Sequence, residues 1–579
     1  MKTFKATYPL LLLASLLAWP AGPILAQTPY DQAYREEAEK IEDKLHLFAD
    51  RSIYSVNETI HFVADYSFTG LLSNSAWSSV LYVELIASNG TPLVQGKYRI
   101  SGGRVEGTLH IPSESLTGNY YLKAYTRWMR NRGPESFSYT ALKIINPYRS
   151  EVIEHSRNGT ASLSAEPRAF KKGILECSTA SAVYRSGEEV EFQLNGASTV
   201  LLDQLNCCIT VVPEGAVDLE AGSSISLRAQ EQDTFRVKFL PDLSSEVSIS
   251  GTVVGPDLNP VPYSTLHFAL LGKEPDFFAS MSDKNGKFIL TVPRTIGDRL
   301  EFFVTPELEE GSGLEVRIDQ EFDSRPVRLP GEAFSLLEDE KELARKIALN
   351  MQFARAFNPV FSSGEAPLQD TLKEAQRIPF YGTRVKRLLI DDYIRLPNLE
   401  EVFLNLVPEI QFYKKKGETR IRFMSANEAI GVYKPLIMID HISVFDHEAL
   451  LALSPEKIER VDLINEIYLK GNVAFGGVLA IHSRKGDMAG IDLPKGSYFF
   501  DYLSFYLEAS PVDPPLVLEE RVPDTRNTYF WAADVPLERD KQSELTFQAP
   551  DLPGKYVIQV RGVLPGGEVF SASSLFRVE

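Results

Sequence analysis

Residues 434–486 read KPLIMIDHISVFDHEALLALSPEKIERVDLINEIYLKGNVAFGGVLAIHSRKG, and the interpretation of the whole chain starts from this stretch. Leu436–Ile439 is a short apolar run of the kind that forms a buried strand. Residues 458–464 alternate apolar and charged side chains, which is the period of a half-buried strand. Residues 478–483 form another β-type run behind a Gly-Gly pair. Because each run is short and bounded by turn residues, we predict that the three share one sheet in an α+β unit.

The order of these runs resembles the plug domain of TonB-dependent outer-membrane receptors. In that family the series reads P-L-x-x-I-D-G, then I-E-x-I-E-V-L, then a glycine-rich turn before V-I-x-I-x-T-K-K-G. This chain departs from the pattern at His441, where the family has glycine. The resemblance implies a plug-like domain over residues 380–490. Residues 487–579 are too few for a barrel whose strands need ~9–11 residues each, so we predict a plug-like domain without a barrel.

Length and composition exclude several classes of function. The chain has 579 residues, of which 44% are hydrophobic and 24% charged, and its formal net charge is −18. This length suits several domains of about 100–150 residues each. An acidic surface repels phosphate backbones, so we expect no nucleic-acid partner.

The N-terminus has the pattern of an export signal. Lys2 and Lys5 precede an apolar core at residues 10–18, and Ile-Leu-Ala at residues 24–26 is a plausible cleavage site. We therefore predict a signal peptide over residues 1–26 and a protein that is exported to the periplasm or associated with the outer membrane. An uncleaved anchor is the alternative, but the core is shorter than the ~20 residues of a membrane span. No later apolar run is long enough to predict a transmembrane helix in the mature chain.

The next residues predict a helix followed by two related β-sandwiches. Residues 27–45 carry apolar side chains at helical spacing and predict an N-terminal amphipathic helix. Residues 48–62, FADRSIYSVNETIHF, resemble the start of the macroglobulin MG2 domain, which implies a sandwich over residues 46–150. The phrase recurs 130 positions later as YRSGEEVEF, which starts at Tyr184. We therefore predict a second macroglobulin-like sandwich over residues 165–245 and place the glutamate of each copy in a turn rather than in an active site.

Three further segments complete the predicted architecture. SISGTVVGPDLNPVPYSTLHF followed by SDKNGKFIL resembles the carboxypeptidase regulatory-like domain, which implies a non-catalytic, prealbumin-like sandwich over residues 247–328. Its turn at Asp283 could also start a calcium loop, but the later glutamate of such a loop is missing. Residues 332–379 predict a helical connector and residues 512–579 a C-terminal sandwich. The predicted fold class is mainly β and multidomain, with several sandwiches, one α+β plug-like domain and a connecting helix.

We find no catalytic constellation, no cofactor motif and no metal site in the sequence, so we predict a protein that is not an enzyme. His447-Glu448 begins like the zinc-protease motif H-E-x-x-H, but Leu451 stands where the second histidine is required. Asp440 is expected to cap the turn after its strand. The cluster formed with it by His441, Asp446, His447 and Glu448 is either a metal site or a set of polar loop flanks, and the second interpretation is favoured.

The cysteines leave two possibilities open. Cys177 could pair with Cys207 or Cys208 in an exported chain and leave one odd thiol, or all three could stay free. Neither Cys177 nor the adjacent pair is followed by the Gly-Glu-Gln of a macroglobulin thioester. Thioester chemistry is therefore not expected.

A basic hairpin is the candidate contact surface of this acidic chain. It comprises Lys414, Lys415 and Lys416, with Arg420 and Arg422 on the returning strand. The alternative is an ordinary solvated hairpin tip. The resulting hypothesis is a non-enzymatic envelope protein that docks on a secreted or outer-membrane protein partner, for which a barrel protein is one candidate. The alternative hypothesis is a macroglobulin-like protease inhibitor that lacks the thioester.

Overall fold

The computed structural model confirms a mainly β, multidomain fold with several sheets and few helices. The structure describes residues 40–69, 77–153, 166–196, 205–217, 219, 221–226, 239, 241–242, 247–272, 275–292, 299–307, 313–327, 329–330, 333–357, 379–382, 385–415, 417–505, 524–537 and 543–579. The predicted signal peptide, most of the predicted N-terminal helix and Lys416 lie outside the described residues.

The elements up to the first long helix are almost all strands. They are β1 Glu42–Ala49, β2 Ile53–Ser55, β3 Thr59–Thr69, β4 Val80–Ala87, β5 Pro92–Arg99, β6 Arg104–His110, β7 Gly118–Thr126, β8 Ser138–Ile145, β9 Glu166–Ala169, β10 Leu175–Thr179, β11 Val183–Tyr184, β12 Glu189–Gly196, β13 Leu205–Pro213, β14 Ala221–Ser226, β15 Val247–Val254, β16 Thr265–Leu270, β17 Asp276–Met281, β18 Lys287–Val292, β19 Arg299–Pro306 and β20 Glu315–Ile318.

The later elements that the structure describes are three α-helices and twelve strands. They are α1 Glu338–Phe357, β21 Lys386–Leu389, α2 Leu399–Leu406, β22 Ile410–Lys415, β23 Glu418–Phe423, β24 Leu436–Ile439, β25 Ile442–Ser443, α3 His447–Leu451, β26 Ile458–Lys470, β27 Val473–Ser483, β28 Tyr498–Leu503, β29 Phe530–Leu537, β30 Ser543–Gln548, β31 Gly554–Val563 and β32 Val569–Val578.

The first sandwich packs the sheet β1-β3-β6 against a sheet that contains β5-β4-β7-β8. The predicted N-terminal helix was to continue to Leu45, but β1 starts at Glu42. This part of the prediction is wrong because residues 42–49 pair antiparallel with β3 along their whole length. The pairing buries Leu45, Leu47 and Ala49 in the sandwich core.

The second sandwich is built from two distant parts of the chain. The sheet β10-β12-β30 faces the sheet β11-β32-β31-β13-β29, so residues 175–213 and 530–578 share one core. The predicted sandwiches over residues 165–245 and 512–579 are therefore not two domains. Strand β12 pairs with β30, and β13 pairs with β31, so each sheet needs strands from both parts of the chain. Either part alone would leave strand edges unpaired.

The two sandwiches have the same topology. Strands β1–β8 correspond in order to β10–β13 followed by β29–β32, and the strand neighbours match in both sheets. Even the short parallel pairing of β2 with β8 recurs between β11 and β32. The predicted internal repeat is thus confirmed at the level of the fold.

The repeat extends to single hydrogen bonds in the turn before the third strand. In each copy a backbone N–H donates to a tyrosine hydroxyl, a second one donates to the turn glutamate, and one residue has a positive φ. In the first copy these are Arg51 N to Tyr54 at 3.0 Å, Ser55 N to Glu58 at 2.6 Å and Asn57 at 64°. In the second copy they are Ser181 N to Tyr184 at 2.9 Å, Arg185 N to Glu188 at 2.7 Å and Gly187 at 70°.

Residues 214–529 are an insertion in a hairpin of the second sandwich. They separate β13 from β29, which correspond to β4 and β5 of the first sandwich. In the first copy a turn over residues 88–91 joins those strands. The second sandwich is therefore a host, and the segment between its two central strands is a guest.

The guest contains a third sandwich, which also closes across a long excursion of the chain. Its sheets are β18-β15-β20 and β17-β16-β19-β28. Strand β28 follows the unit predicted over residues 380–490, for which we keep the name plug-like unit, and pairs antiparallel with β19. The predicted bounds of residues 247–328 therefore leave out the last strand of this sandwich. Helix α1, predicted as a connector, instead packs Leu343 and Ile347 against Ile53 of the first sandwich and Val557 of the second.

The plug-like unit has a five-stranded sheet in the order β21-β26-β27-β24-β25. Strand β24 is parallel to β27, and β26 is antiparallel to it. The three runs predicted to share a sheet therefore do so. Helices α2 and α3 cover one face, and the other face packs on Phe277 and Ala279 of β17.

The two repeated sandwiches stack face to face. Phe48 and Val63 of the first sandwich cluster with Trp531 and Cys208 of the second. Cys207 points the other way, into the core of its own sandwich, because neighbouring strand residues face opposite sides.

All three cysteines are free thiols, and burial raises the pKa of Cys177 to about 12.

Among the described residues, no helix combines the length and apolar character that a membrane crossing requires.

Candidate protein-binding surface

The predicted basic hairpin is a separate two-stranded sheet on the plug-like unit. Strands β22 and β23 pair antiparallel, with Lys414 opposite Thr419 and Lys415 opposite Glu418. Lys414 and Lys415 are exposed at the end of the hairpin. The inner residues Ile410 and Ile421 are buried in the core of the unit, so the hairpin base is anchored while its tip faces solvent.

Two members of the predicted acid–histidine cluster hold this hairpin in place. The Glu448 carboxylate accepts hydrogen bonds from the Thr419 N–H at 3.2 Å and from its hydroxyl at 3.0 Å. His447 Nδ1 accepts one from the Ile421 N–H at 3.1 Å. Burial lowers the pKa of His447 to about 4, so its ring is neutral at pH 7 and can accept that bond. Asp446 caps α3 through the Ala449 N–H at 2.9 Å.

Asp440 has a different role from the one predicted. It does not cap the turn after its own strand; its carboxylate accepts from the Ser483 N–H at 2.8 Å, the Ser483 hydroxyl at 2.6 Å and the Met488 N–H at 2.9 Å. Asp440 and His441 instead form the tight turn with φ of 47° and 69°. The backbone is left-handed there, which turns the Asp440 side chain toward the loop after β27.

The cluster therefore divides between two structural tasks. His447 and Glu448 hold the hairpin, whereas Asp440 holds the loop at Ser483. Within the described ranges, no group of three or more histidine, cysteine or acidic side chains is arranged to bind a metal ion.

The hairpin carries more positive charge than its neighbours neutralise. Arg420 forms an ion pair with Glu418 on the same strand. Arg422 donates to the amide oxygen of Gln411 at 3.0 Å, and its guanidinium lies 5.4 Å from the centre of the Tyr413 ring. In the part of the chain that the structure describes, no carboxylate lies within ion-pair distance of Lys414, Lys415 or Arg422.

Exposed apolar side chains lie on the hairpin and on the turn that follows it. Tyr413 is 38% exposed, Met424 47%, Tyr433 41% and Val432 78%. The turn that carries Val432 contacts β23, so these residues adjoin the hairpin. We call the combined area the hairpin surface; it comprises Tyr413, Lys414, Lys415, Arg422, Met424, Val432 and Tyr433. By contrast, Tyr148 is the one exposed large apolar side chain described between residues 40 and 150.

Sequence reasoning found the cations of this surface but missed its apolar part. The segment at residues 424–433 reads MSANEAIGVY, in which apolar residues follow no helical or strand period. Ile430 is buried there while Val432 is exposed, and only the fold distinguishes the two. The available clue was that apolar residues stand beside Asn-Glu and Gly, which are signals of a turn.

The most conspicuous charged motif of the first sandwich is structural. The buried Asp50 carboxylate accepts hydrogen bonds from the Tyr54 hydroxyl at 2.6 Å, the His61 N–H at 2.9 Å and the Thr528 hydroxyl at 2.5 Å. Burial raises the pKa of Asp50, but the Arg51 guanidinium and these polar groups outweigh burial and lower it overall. All of these groups are engaged with one another, so the motif fixes a turn rather than presenting a reactive group.

Comparison with known proteins gives weak structural neighbours. No protein-family model and no curated protein matches the sequence. The structure of Escherichia coli alpha-2-macroglobulin activated by porcine elastase is 10% identical, with a TM-score of 0.21 over 93% of this chain and 44% of that chain. Salmonella alpha-2-macroglobulin reacted with methylamine is 8% identical, with a TM-score of 0.23 over 93% of this chain and 39% of that chain.

A part of Intimin is also among the neighbours. The D0–D1 domain of Intimin is 12% identical, with a TM-score of 0.13 over 45% of this chain and 89% of that chain. The chain spans less than half the length of the two alpha-2-macroglobulins it matches. Bacterial alpha-2-macroglobulins are thus structural neighbours at low identity, and the MG2, regulatory-like and plug resemblances stay predictions.

Proposed function

We propose that this chain is a non-enzymatic interaction protein of the bacterial envelope that captures a protein partner through the hairpin surface. The observation that carries the proposal is the surplus of positive charge on that surface. Lys414, Lys415 and Arg422 lie on a hairpin that also carries an exposed tyrosine, in a chain whose formal net charge is −18. Such a surface attracts an acidic partner while most of the molecule repels it.

The chemistry of the surface defines the kind of partner. Cations at the rim of an interface mainly raise the association rate, and apolar side chains such as Val432 and Tyr433 supply the contact that persists. We therefore propose an acidic protein of the outer membrane or a secreted protein as the partner. A partner in the outer membrane agrees with the predicted export of the chain.

Site-specific photocrosslinking in native envelopes tests the proposal. A photoreactive residue at position 414 and another at position 433 should give an adduct of the same mass, because the proposal assigns both positions to the hairpin surface. The control position is Lys284, an exposed lysine in the turn between β17 and β18. An adduct pattern that is the same at position 284, or the absence of any adduct at positions 414 and 433, would contradict the proposal.

A charge-reversal variant tests the electrostatic part. Lys414→Glu combined with Lys415→Glu should slow association with the crosslinked partner about tenfold or more at low salt, because steering changes on-rates by about 10–10³. Thermal unfolding should not change, since both side chains are exposed and unpaired with acids. Lys284→Glu serves as the matched control. Equal association rates and equal salt dependence for the double variant and the control would refute the role of the cations.

A further inference from the structure

An irregular segment of the guest lies across the first sandwich like a bound peptide. Residues 319–327, which we call the strap, follow β20 and form neither helix nor strand. The strap covers the face of the sheet β5-β4-β7-β8 that points away from β3. The two faces are distinguished by β5, where Tyr98 contacts Phe62 of β3 and the neighbouring Lys97 therefore points to the opposite side.

The sheet holds the main chain of the strap through side chains. Lys123 donates to the carbonyl oxygen of Asp323 at 2.9 Å, and the Asp323 N–H donates to the Tyr125 hydroxyl at 2.7 Å. The Arg130 guanidinium donates to the carbonyl oxygens of Gln320 at 3.0 Å and Glu321 at 3.3 Å. These bonds are made to main-chain atoms of the strap and require no particular side chains on it.

The side chains of the strap add selectivity. Glu321 forms an ion pair with Lys97, whose side chain is wholly buried. The Phe322 ring meets Tyr82 edge-on, with the ring centres 5.6 Å apart. Asp323 lies 3.5 Å from Arg130. The strap thus presents acid, aromatic ring and acid in sequence, and the sandwich supplies a complementary cation or ring to each.

Ion pairs join the strap to the sandwich at two points. Lys97 meets Glu321, and Arg130 lies near Asp323, which also pairs with Arg325 of the strap itself. Removing both members of a buried ion pair from water is costly, so such pairs are weak evidence for stability. Their arrangement favours recognition of one partner segment over others.

We infer that this face of the first sandwich is a recognition surface for acidic–aromatic peptide segments and that the strap is its tethered resident ligand. An external segment of the same type, with Glu-Phe-Asp at its centre, competes for the same contacts. The inference does not depend on the hairpin surface or on the proposed function.

A strap variant exposes the surface for measurement. In Glu321→Lys/Phe322→Ala/Asp323→Lys the resident segment loses its ion pairs and its ring contact. The probe is a fluorescein-labelled synthetic peptide of residues 319–327, and its binding to the full chain is followed by fluorescence anisotropy. The peptide should bind the variant at least tenfold more tightly than the wild type, because a tethered segment competes at an effective concentration on the order of mM.

Two controls make the result specific. A peptide that carries the same three substitutions should not bind either protein. Adding Lys97→Glu to the strap variant should reduce binding of the original peptide at least tenfold. Equal binding of the peptide to wild type and variant would overturn the inference. Hydrogen exchange in the second sandwich shows whether the variant is folded, and the absence of binding to a folded variant would also overturn the inference.

Hydrogen exchange of the unmodified protein tests the inference if the variant does not fold. The Asp323 N–H is held by Tyr125, whereas Leu122 lies within the ladder between β4 and β7. A strap that detaches locally should exchange at Asp323 at least tenfold faster than at Leu122. Exchange of the two amides at one common rate would show that the strap opens only with the sandwich and would overturn the inference.

Discussion

Replacing Asp50 by alanine should destabilise the first sandwich by ~3–5 kcal/mol, which is the usual cost of breaking a buried ion pair by removing one partner. The Asp50 side chain is 0% exposed and lies 3.3 Å from the Arg51 guanidinium. Its removal takes an acceptor from the Thr528 hydroxyl and from the His61 N–H, while the Tyr54 hydroxyl keeps the Arg51 carbonyl oxygen. Arg51 keeps Glu58 as a partner at 3.0 Å, which places the expected cost nearer the lower limit.

The internal repeat supplies a natural control for this substitution. The position that corresponds to Asp50 in the second sandwich is Ala180, and the one that corresponds to Arg51 is Ser181. The backbone bond from Ser181 N to the Tyr184 hydroxyl is nevertheless kept at 2.9 Å. The turn therefore forms without an aspartate, and the cost of Asp50→Ala is assigned to the lost buried contacts rather than to turn geometry.

Hydrogen exchange is the suitable assay because a multidomain chain does not unfold in one two-state step. The variant should lose protection at the His61 N–H, which donates a hydrogen bond to Asp50 in the wild type, and throughout β3. Strand β12 of the second sandwich should keep its protection. The pKa of Asp50 is lowered in the folded protein, so its stabilisation is present above pH ~4 and disappears as pH falls through the folded pKa. The difference between variant and wild type should shrink accordingly. A cost below about 1 kcal/mol, or one that does not depend on pH, would refute this reasoning.

Three further predictions concern the repeat and the plug-like unit. Glu58→Ala should cost about 2–4 kcal/mol because Glu58 holds a buried arginine, whereas Glu188→Ala should cost about 1 kcal/mol for one exposed turn bond; equal losses of hydrogen-exchange protection in β3 and β12 would contradict this. Asp440→Ala removes an acceptor of three hydrogen bonds and should cost ~1–3 kcal/mol, read as faster exchange at Ser483, and unchanged exchange would refute it. Gln193→Val at the outer face of the second sandwich should promote self-association in sedimentation experiments, and a strictly monomeric variant would disprove the stacking argument below.

The sequence identified those features whose signals are local. The strands around residues 434–486 were predicted because their apolar patterns and bounding turns lie within one short stretch. The repeat was predicted because Tyr54 and Tyr184 start the same phrase, and each phrase is a complete turn. The basic residues Lys414 and Lys415 were found for the same reason.

Features that depend on distant pairing could not be read in this way. The second sandwich was divided into two predicted domains because β13 and β29 are separated by the guest, and each half has ordinary strand periodicity. Strand β28 was left out of the predicted third sandwich for the same reason, because its partner β19 is far from it in the sequence. Asp440 was placed in the correct turn, but its partner Ser483 lies on another strand and is brought near by sheet pairing alone.

The stack of sandwiches has a definite end, and the repeat shows why. In the first sandwich Phe48 and Val63 lie on the outer face of β1 and β3 and receive Trp531 of the second. The corresponding positions of the second sandwich are Ser178 and Gln193, which are polar. Ser178 is exposed and Gln193 partly exposed, so the outer face of β10 and β12 is solvated. A polar terminal face prevents further stacking, as capping repeats do in repeat proteins. The hairpin surface of the guest, by contrast, combines exposed apolar side chains with Lys414 and Lys415, for which the described residues show no carboxylate within ion-pair distance.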